Sequence, residues 1–166
     1  IEDGTTSLDY EPEEIKRRGS TQPGFATYLW NKDRHFLVDV HGDSNFSGDM
    51  DYLLQGVDGV VLTIDAVDGV RPQTRKIWSQ VKAAGLPAVV FINKMDRDLA
   101  NFDMALNGLT ANLGIKAVVF YMPIIEKGEF IGLVDVFAGK ALRFGENGET
   151  SEIPIPEALA DEAQVL

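Results

Sequence analysis

Ala88-Val89-Val90-Phe91-Ile92, followed without a break by Asn93-Lys94-Met95-Asp96, decides the reading of this chain. The first five residues are a short apolar run rich in β-branched side chains, as in a strand buried in a sheet. The next four are polar and fall where open α/β sheets place their ligands, outside the carboxyl end of a strand. A carboxylate is acceptor-only, so Asp96 can receive both N–H donors of a guanine edge. The Asn93 amide can meet the acceptor side of the base, and the Lys94 stem can lie along an apolar ring face. The competing reading is a polar loop that matches N-K-x-D by chance.

Working outward, Gly59-Val60-Val61-Leu62-Thr63-Ile64-Asp65 is a second apolar run with an acid at its carboxyl end, and Phe36-Leu37-Val38-Asp39-Val40 is a third. Between the runs at 59–65 and 88–92, Pro72 stands where a helix can begin. Ile77, Trp78 and Val81 then recur at helical spacing, and Gly85 and Pro87 end the element. Past Asp96, Phe102, Leu106, Leu109 and Leu113 share one helical face, with Gly114 as a C-terminal stop. The alternation predicts βαβ units and a mostly parallel sheet with flanking helices. Beyond Gly114 the pattern changes to antiparallel strands. Ala117-Val118-Val119-Phe120-Tyr121 and Phe130-Ile131-Gly132-Leu133-Val134-Asp135-Val136 are parted by the turn Glu126-Lys127-Gly128-Glu129, with a further turn at 145–149.

A second polar motif, Asp39-Val40-His41-Gly42, leaves the run at 36–40. A carboxylate emerging from a strand can hold a metal-bound water, and a glycine lets a backbone N–H approach a phosphate oxygen. An ordinary strand-to-helix turn would look the same. Composition narrows the chemistry further. The 166 residues carry 15 Lys+Arg against 26 Asp+Glu, a formal charge of −11, which disfavours sequence-independent gripping of phosphate backbones and gives no reason to expect specific DNA binding. There is no cysteine, and only two histidines, so disulfide frameworks and thiolate or His-rich metal sites are excluded. No apolar run reaches the roughly 18 residues of a membrane span. The expected setting is cytoplasmic, with no membrane partner.

Taken together, these motifs resemble the GTPase domain of the translation elongation factor G family and lean toward its factor G-like paralogues. Asn93-Lys94-Met95-Asp96-Arg97 matches N-K-M-D-R, and Asp39-Val40-His41-Gly42 is similar to D-T-P-G. Arg18-Gly19-Ser20-Thr21 is similar to the R-G-I-T that ends switch I, and Glu2 to Tyr10 with Pro12-Glu13-Glu14 looks like switch I itself. Asp65 to Thr74 resembles the family stretch before the next helix. Met122-Pro123-Ile124 and Phe130 to Asp135 resemble the opening strands of the subdomain inserted in factor G.

The resemblance implies an incomplete P-loop-type GTPase fold: a partial core over 1–113, then the start of a small β-rich inserted subdomain over 114–166. It implies GTP or GDP with Mg2+ as cofactors and the ribosome as partner. Thr21 and Asp39 would be metal ligands, the Gly42 amide would sense the γ-phosphate, and Asn93, Lys94 and Asp96 would read guanine. The departures are Val40 and His41 for Thr and Pro, and Asp43 for the histidine that positions the attacking water. Asp43 could orient water, or could cap a helix near Phe46 to Leu54. No G-x-x-x-x-G-K-[ST] occurs, and the chain starts at Ile1 rather than Met. The expectation is therefore a piece of a longer GTP hydrolase, inactive by itself. The alternative expectation is a catalytically silent nucleotide-sensing or ribosome-binding module.

Overall fold

The structure is a computed structural model that describes residues 6–42, 50–145 and 147–160. Its contacts divide the chain into two units, one of residues 1–62 and 72–89 and the other of residues 63–71 and 90–166.

In the first unit a short helix α1 (Pro12–Arg17) opens with Pro12, whose missing N–H would have had no helical partner there. It stops at Arg18, which takes a left-handed φ of 56° and turns the chain back over the helix. Strand β1 (Gly24–Trp30) then pairs antiparallel with β2 (Asp33–Asp39), from Gly24↔Asp39 to Trp30↔Asp33. The two connecting residues, Asn31 and Lys32, both have positive φ, the geometry of a type I′ hairpin turn.

This corrects the reading of Phe36 to Val40 as a buried parallel strand. The run pairs with its neighbour in sequence, and Phe36 and Leu37 are exposed. Its apolar residues reflect a hairpin with hydrophobic groups on both faces. Phe25 and Phe36 fall on one face by the alternation of the register, and Tyr28 and Leu37 on the other.

Helix α2 (Met50–Leu53) runs into a 3-10 turn at Leu54–Gly56, and α3 spans Pro72–Ala84. Met50, Leu54 and Val81 form a small core, with Val40, Val60, Ile77, Trp78 and Leu86 packed around it. The predicted helical stripe of α3 is therefore the buried one. Gly85 follows with φ of 68°, a conformation that suits glycine at a helix end.

Strands β3 (Val60–Asp65) and β4 (Ala88–Asn93) make a two-stranded sheet. Val60 N–H bonds the Pro87 carbonyl, and Ala66 N–H bonds the Asn93 carbonyl. The offset is the same at both ends, which is the signature of parallel pairing. Among the described residues the parallel arrangement is confined to these two strands.

In the second unit α4 (Phe102–Gly108) is capped by the Asn101 side chain, which accepts from Met104 N–H at 2.8 Å. It continues as a π-helical turn at Leu109–Leu113 and ends on Gly114 in the left-handed region, as predicted. An antiparallel sheet of four strands follows in sequential order: β5 (Tyr121–Glu126), β6 (Glu129–Asp135), β7 (Lys140–Phe144) and β8 (Thr150–Ile153). The expected strand at 117–121 is not formed before Tyr121. Strand pairing begins there and includes Pro123, which an edge strand tolerates because its missing N–H breaks no central ladder. Val119, Met122, Ile124, Val134 and Ala141 build the core of this unit, and Phe102 and Leu106 pack against it. Among the described residues no helix is long and apolar enough to cross a membrane.

Candidate functional site

The predicted residues fall into two groups. Thr21, Asp39 and Gly42 belong to the first unit, and Asn93, Lys94 and Asp96 to the second. Asp43 lies outside the described residues.

In the second group, Lys94 leaves the end of β4 with φ of 61°, a left-handed conformation that a non-glycine residue adopts only when its surroundings hold it. Two contacts do so. Lys94 N–H bonds the Asn93 side-chain oxygen at 2.8 Å, and the Lys94 ammonium donates to Asp65 Oδ2 at 2.6 Å. Asp65, at the carboxyl end of β3, also accepts from Val67 N–H at 2.8 Å and Asp68 N–H at 3.2 Å.

The Lys94 bond is the main reason that the Asp65 carboxyl is lowered to about 2; the Val67 and Asp68 amides act the same way, against partial burial. Ala66 closes the loop at both ends, since its N–H meets the Asn93 carbonyl and its carbonyl receives Asn101 N–H. Between these ends Arg97 N–H turns back to the Lys94 carbonyl at 3.2 Å. An open cleft of about 590 Å³ results, lined by Asp65, Val67, Asp68, Lys94, Asp96, Arg97 and Asp98. Asp96 is exposed in the cleft, and among the described residues no side chain bonds its carboxylate. Asp65 is a residue of this loop that motif reading alone did not assign; its signal was an acid ending an apolar strand.

In the first group, Thr21 is held by Glu14. The Glu14 side chain is almost fully buried, at 2% exposure. Its Oε1 accepts from Thr21 N–H at 2.8 Å, Gln22 N–H at 3.1 Å and the Thr21 hydroxyl at 3.3 Å. Its Oε2 accepts from Glu11 N–H at 3.3 Å. These donors, the Thr21 amide foremost, hold the carboxyl below the usual glutamate range despite burial.

Asp9 binds the hydroxyls of Thr6 at 2.6 Å and Ser20 at 2.7 Å, and these lower its own pKa. Asp39 is solvent-exposed as a residue, yet packing around its carboxyl, first, and the charge of Asp9, second, push its pKa up. Asp9 thus links the neighbour of Thr21 to Asp39. Gly24, paired with Asp39, lies so close to Leu8 that an added Cβ would stand 2.8 Å from the Leu8 Cβ, which seats the Leu8–Asp9 segment at the foot of the hairpin. Gly42 is exposed, with open space where a side chain would be, and His41 is buried at 3% exposure.

Parallel β3 and β4, with a polar loop following β4, give the chain an α/β character. The family model for the elongation factor Tu GTP binding domain matches residues 1–161, and the chain belongs to that family. Within it, the chain is similar to elongation factor G of Mycoplasma genitalium, with 35% identity over 99% of this chain and 24% of that protein. It is also 35% identical to mitochondrial ribosome-releasing factor 2 of Candida albicans, over 100% of this chain and 22% of that protein. A crystal structure from Thermus thermophilus superposes with a TM-score of 0.90 and 34% identity, covering 99% of this chain and 24% of that one. The chain therefore spans about a quarter of the length of the relatives it matches.

Proposed function

We propose that the protein carrying this segment is a cytoplasmic, ribosome-associated translational GTPase of the elongation factor G type, and that it binds GTP and hydrolyses it to drive a step of protein synthesis. Residues 1–113 would supply part of the nucleotide-binding core, and 114–166 the beginning of the inserted subdomain. The observation that carries this reading is the Asn93–Asn101 segment, fastened at both ends to Ala66 and by the Lys94 ammonium to Asp65, with Asp96 left facing the cleft.

In this reading Asp96 accepts the two N–H donors of guanine, Asn93 meets the acceptor side of the base, and Asp65 fixes the stem of Lys94 along the ring. The donors in this reading are oxygens: the Thr21 hydroxyl and the Asp39 carboxylate, whose pKa is raised by burial and by the Asp9 charge. Hard oxygen donors fit Mg2+, so Thr21 would hold it directly and Asp39 through water. When bound, Mg2+ supplies charge neutralisation on the phosphates. The Gly42 amide would donate toward the γ-phosphate, and Asp43 is the candidate for orienting the attacking water. Positioning and charge stabilisation would carry most of the catalysis.

Asp96→Asn tests the assignment in the intact protein. The new amide offers a donor where the carboxylate accepted, so preference should move from GTP toward XTP by about tenfold or more, the scale of a hydrogen bond to a charged group. An unchanged GTP/XTP ratio removes Asp96 from the base site. Ribosome-stimulated turnover of GTP supports hydrolysis, and binding without turnover identifies a silent module instead.

A further inference from the structure

The motif reading gave the Glu14 carboxylate no role, yet it is the most buried charge among the described residues and the point on which the Thr21 loop converges. Helix α1 ends at left-handed Arg18, and the reversal brings two consecutive amides, Thr21 and Gln22, onto a single carboxylate oxygen. A buried carboxylate with four donors is a strong local anchor, because each of those N–H or O–H groups would otherwise need water or another acceptor. The Thr21 hydroxyl adds a second consequence. A hydroxyl has one proton and two lone pairs. With its proton directed to Glu14 Oε1, Thr21 Oγ1 offers only lone pairs to any other neighbour. That is the polarity a cation ligand needs.

We infer that Glu14 is a positioning residue that fixes the backbone of Thr21 and orients its hydroxyl as an oxygen donor to Mg2+ in the triphosphate-bound state. This rests on the proposed guanine-nucleotide reading, in which Thr21 meets the metal. In this inference Glu14 acts on the metal through Thr21. Triphosphate binding should depend on it and diphosphate binding should not, since the Thr21 contact belongs to the γ-phosphate end.

The test uses the intact protein with a hydrolysis-resistant GTP analogue and GDP, each titrated at several Mg2+ concentrations. Glu14→Gln keeps the shape but replaces the charged acceptor. It should weaken analogue binding by about tenfold and raise the Mg2+ concentration for half-saturation, while GDP affinity stays within about twofold, as for the loss of one charge-assisted bond. Glu14→Asp, with its charge on a shorter stem, should give the same pattern with a smaller loss. In a Thr21→Ala background Glu14→Gln should add nothing further, because the two side chains act as one unit.

Equal losses for analogue and GDP would make Glu14 merely structural and overturn the inference, as would additive losses with Thr21→Ala or unchanged binding in both Glu14 variants. Wild-type protein that binds no guanine nucleotide would overturn the underlying reading and this inference with it. Wild-type binding alongside indifferent Glu14 variants overturns the inference alone.

Discussion

The loop before β1 and the loop after β4 are held in opposite ways. Around Thr21, one carboxylate withdrawn from water gathers neutral donors: Glu11, Thr21 and Gln22 give N–H groups and Thr21 its hydroxyl. Around Lys94, the central contact is an ion pair whose lysine side chain is 44% exposed and whose Asp65 side chain is 19% exposed. The first kind of anchor depends on burial and is screened weakly by salt; the second sits in solvent and is screened readily. One chain can therefore carry a loop whose order is set by backbone satisfaction and another whose order is set by charge.

The largest expected effect of breaking this comparison comes from Glu14→Ala, which strands three backbone amides. Hydrogen exchange of Thr21 and Gln22 should accelerate by about a hundredfold, with exchange near Lys94 unchanged. Asp65→Ala comes next. It removes the acceptor for the Val67 and Asp68 amides as well as for Lys94, and should cost about 2 kcal/mol in denaturant unfolding.

Lys94→Met keeps the stem and discards only the ion pair, so its cost should be about 0.5 kcal/mol and should vanish in molar salt. A loss as large as that of Asp65→Ala would mean that the charge, not the amides, organises the turn. A pH dependence reads the same carboxylate. The Asp65 carboxyl is lowered in the folded state from 3.8 to about 2, so its contribution is complete above about pH 4 and is lost as the pH falls through that window toward 2. An NMR titration of the Asp65 carboxyl should show the lowered midpoint, and Lys94→Met should raise it.

Much of this architecture was legible from local patterns. The apolar runs at 59–65 and 88–92, the α3 stripe of Ile77, Trp78 and Val81, and the Gly114 stop all follow from periodicity and turn chemistry, which act over a few residues. The turn at Lys127-Gly128 was equally visible, because glycine marks a positive φ.

Hidden features depended on partners distant in sequence or on unusual residues. The β1–β2 hairpin turns on Asn31-Lys32, and a lysine at positive φ gives no signal of that kind. Glu14 sits with Glu11 and Glu13 in an acidic stretch where charge alone cannot tell a buried anchor from a solvated face. Its role emerges only when Arg18 reverses the chain. Likewise the Asp65–Lys94 bond joins the end of β3 to the loop after β4. Spacing proposed Asn93, Lys94 and Asp96, but it could not say what holds Lys94 in place.

Ala66 has a kinetic consequence. Because its amide and carbonyl tie down Asn93 and Asn101, the intervening segment is already closed at both ends before any ligand arrives. A molecule entering the cleft meets a preformed wall and incurs little ordering entropy. Encounter rates for competing ligands should then be nearly equal, and discrimination among them should reside in how long each one stays.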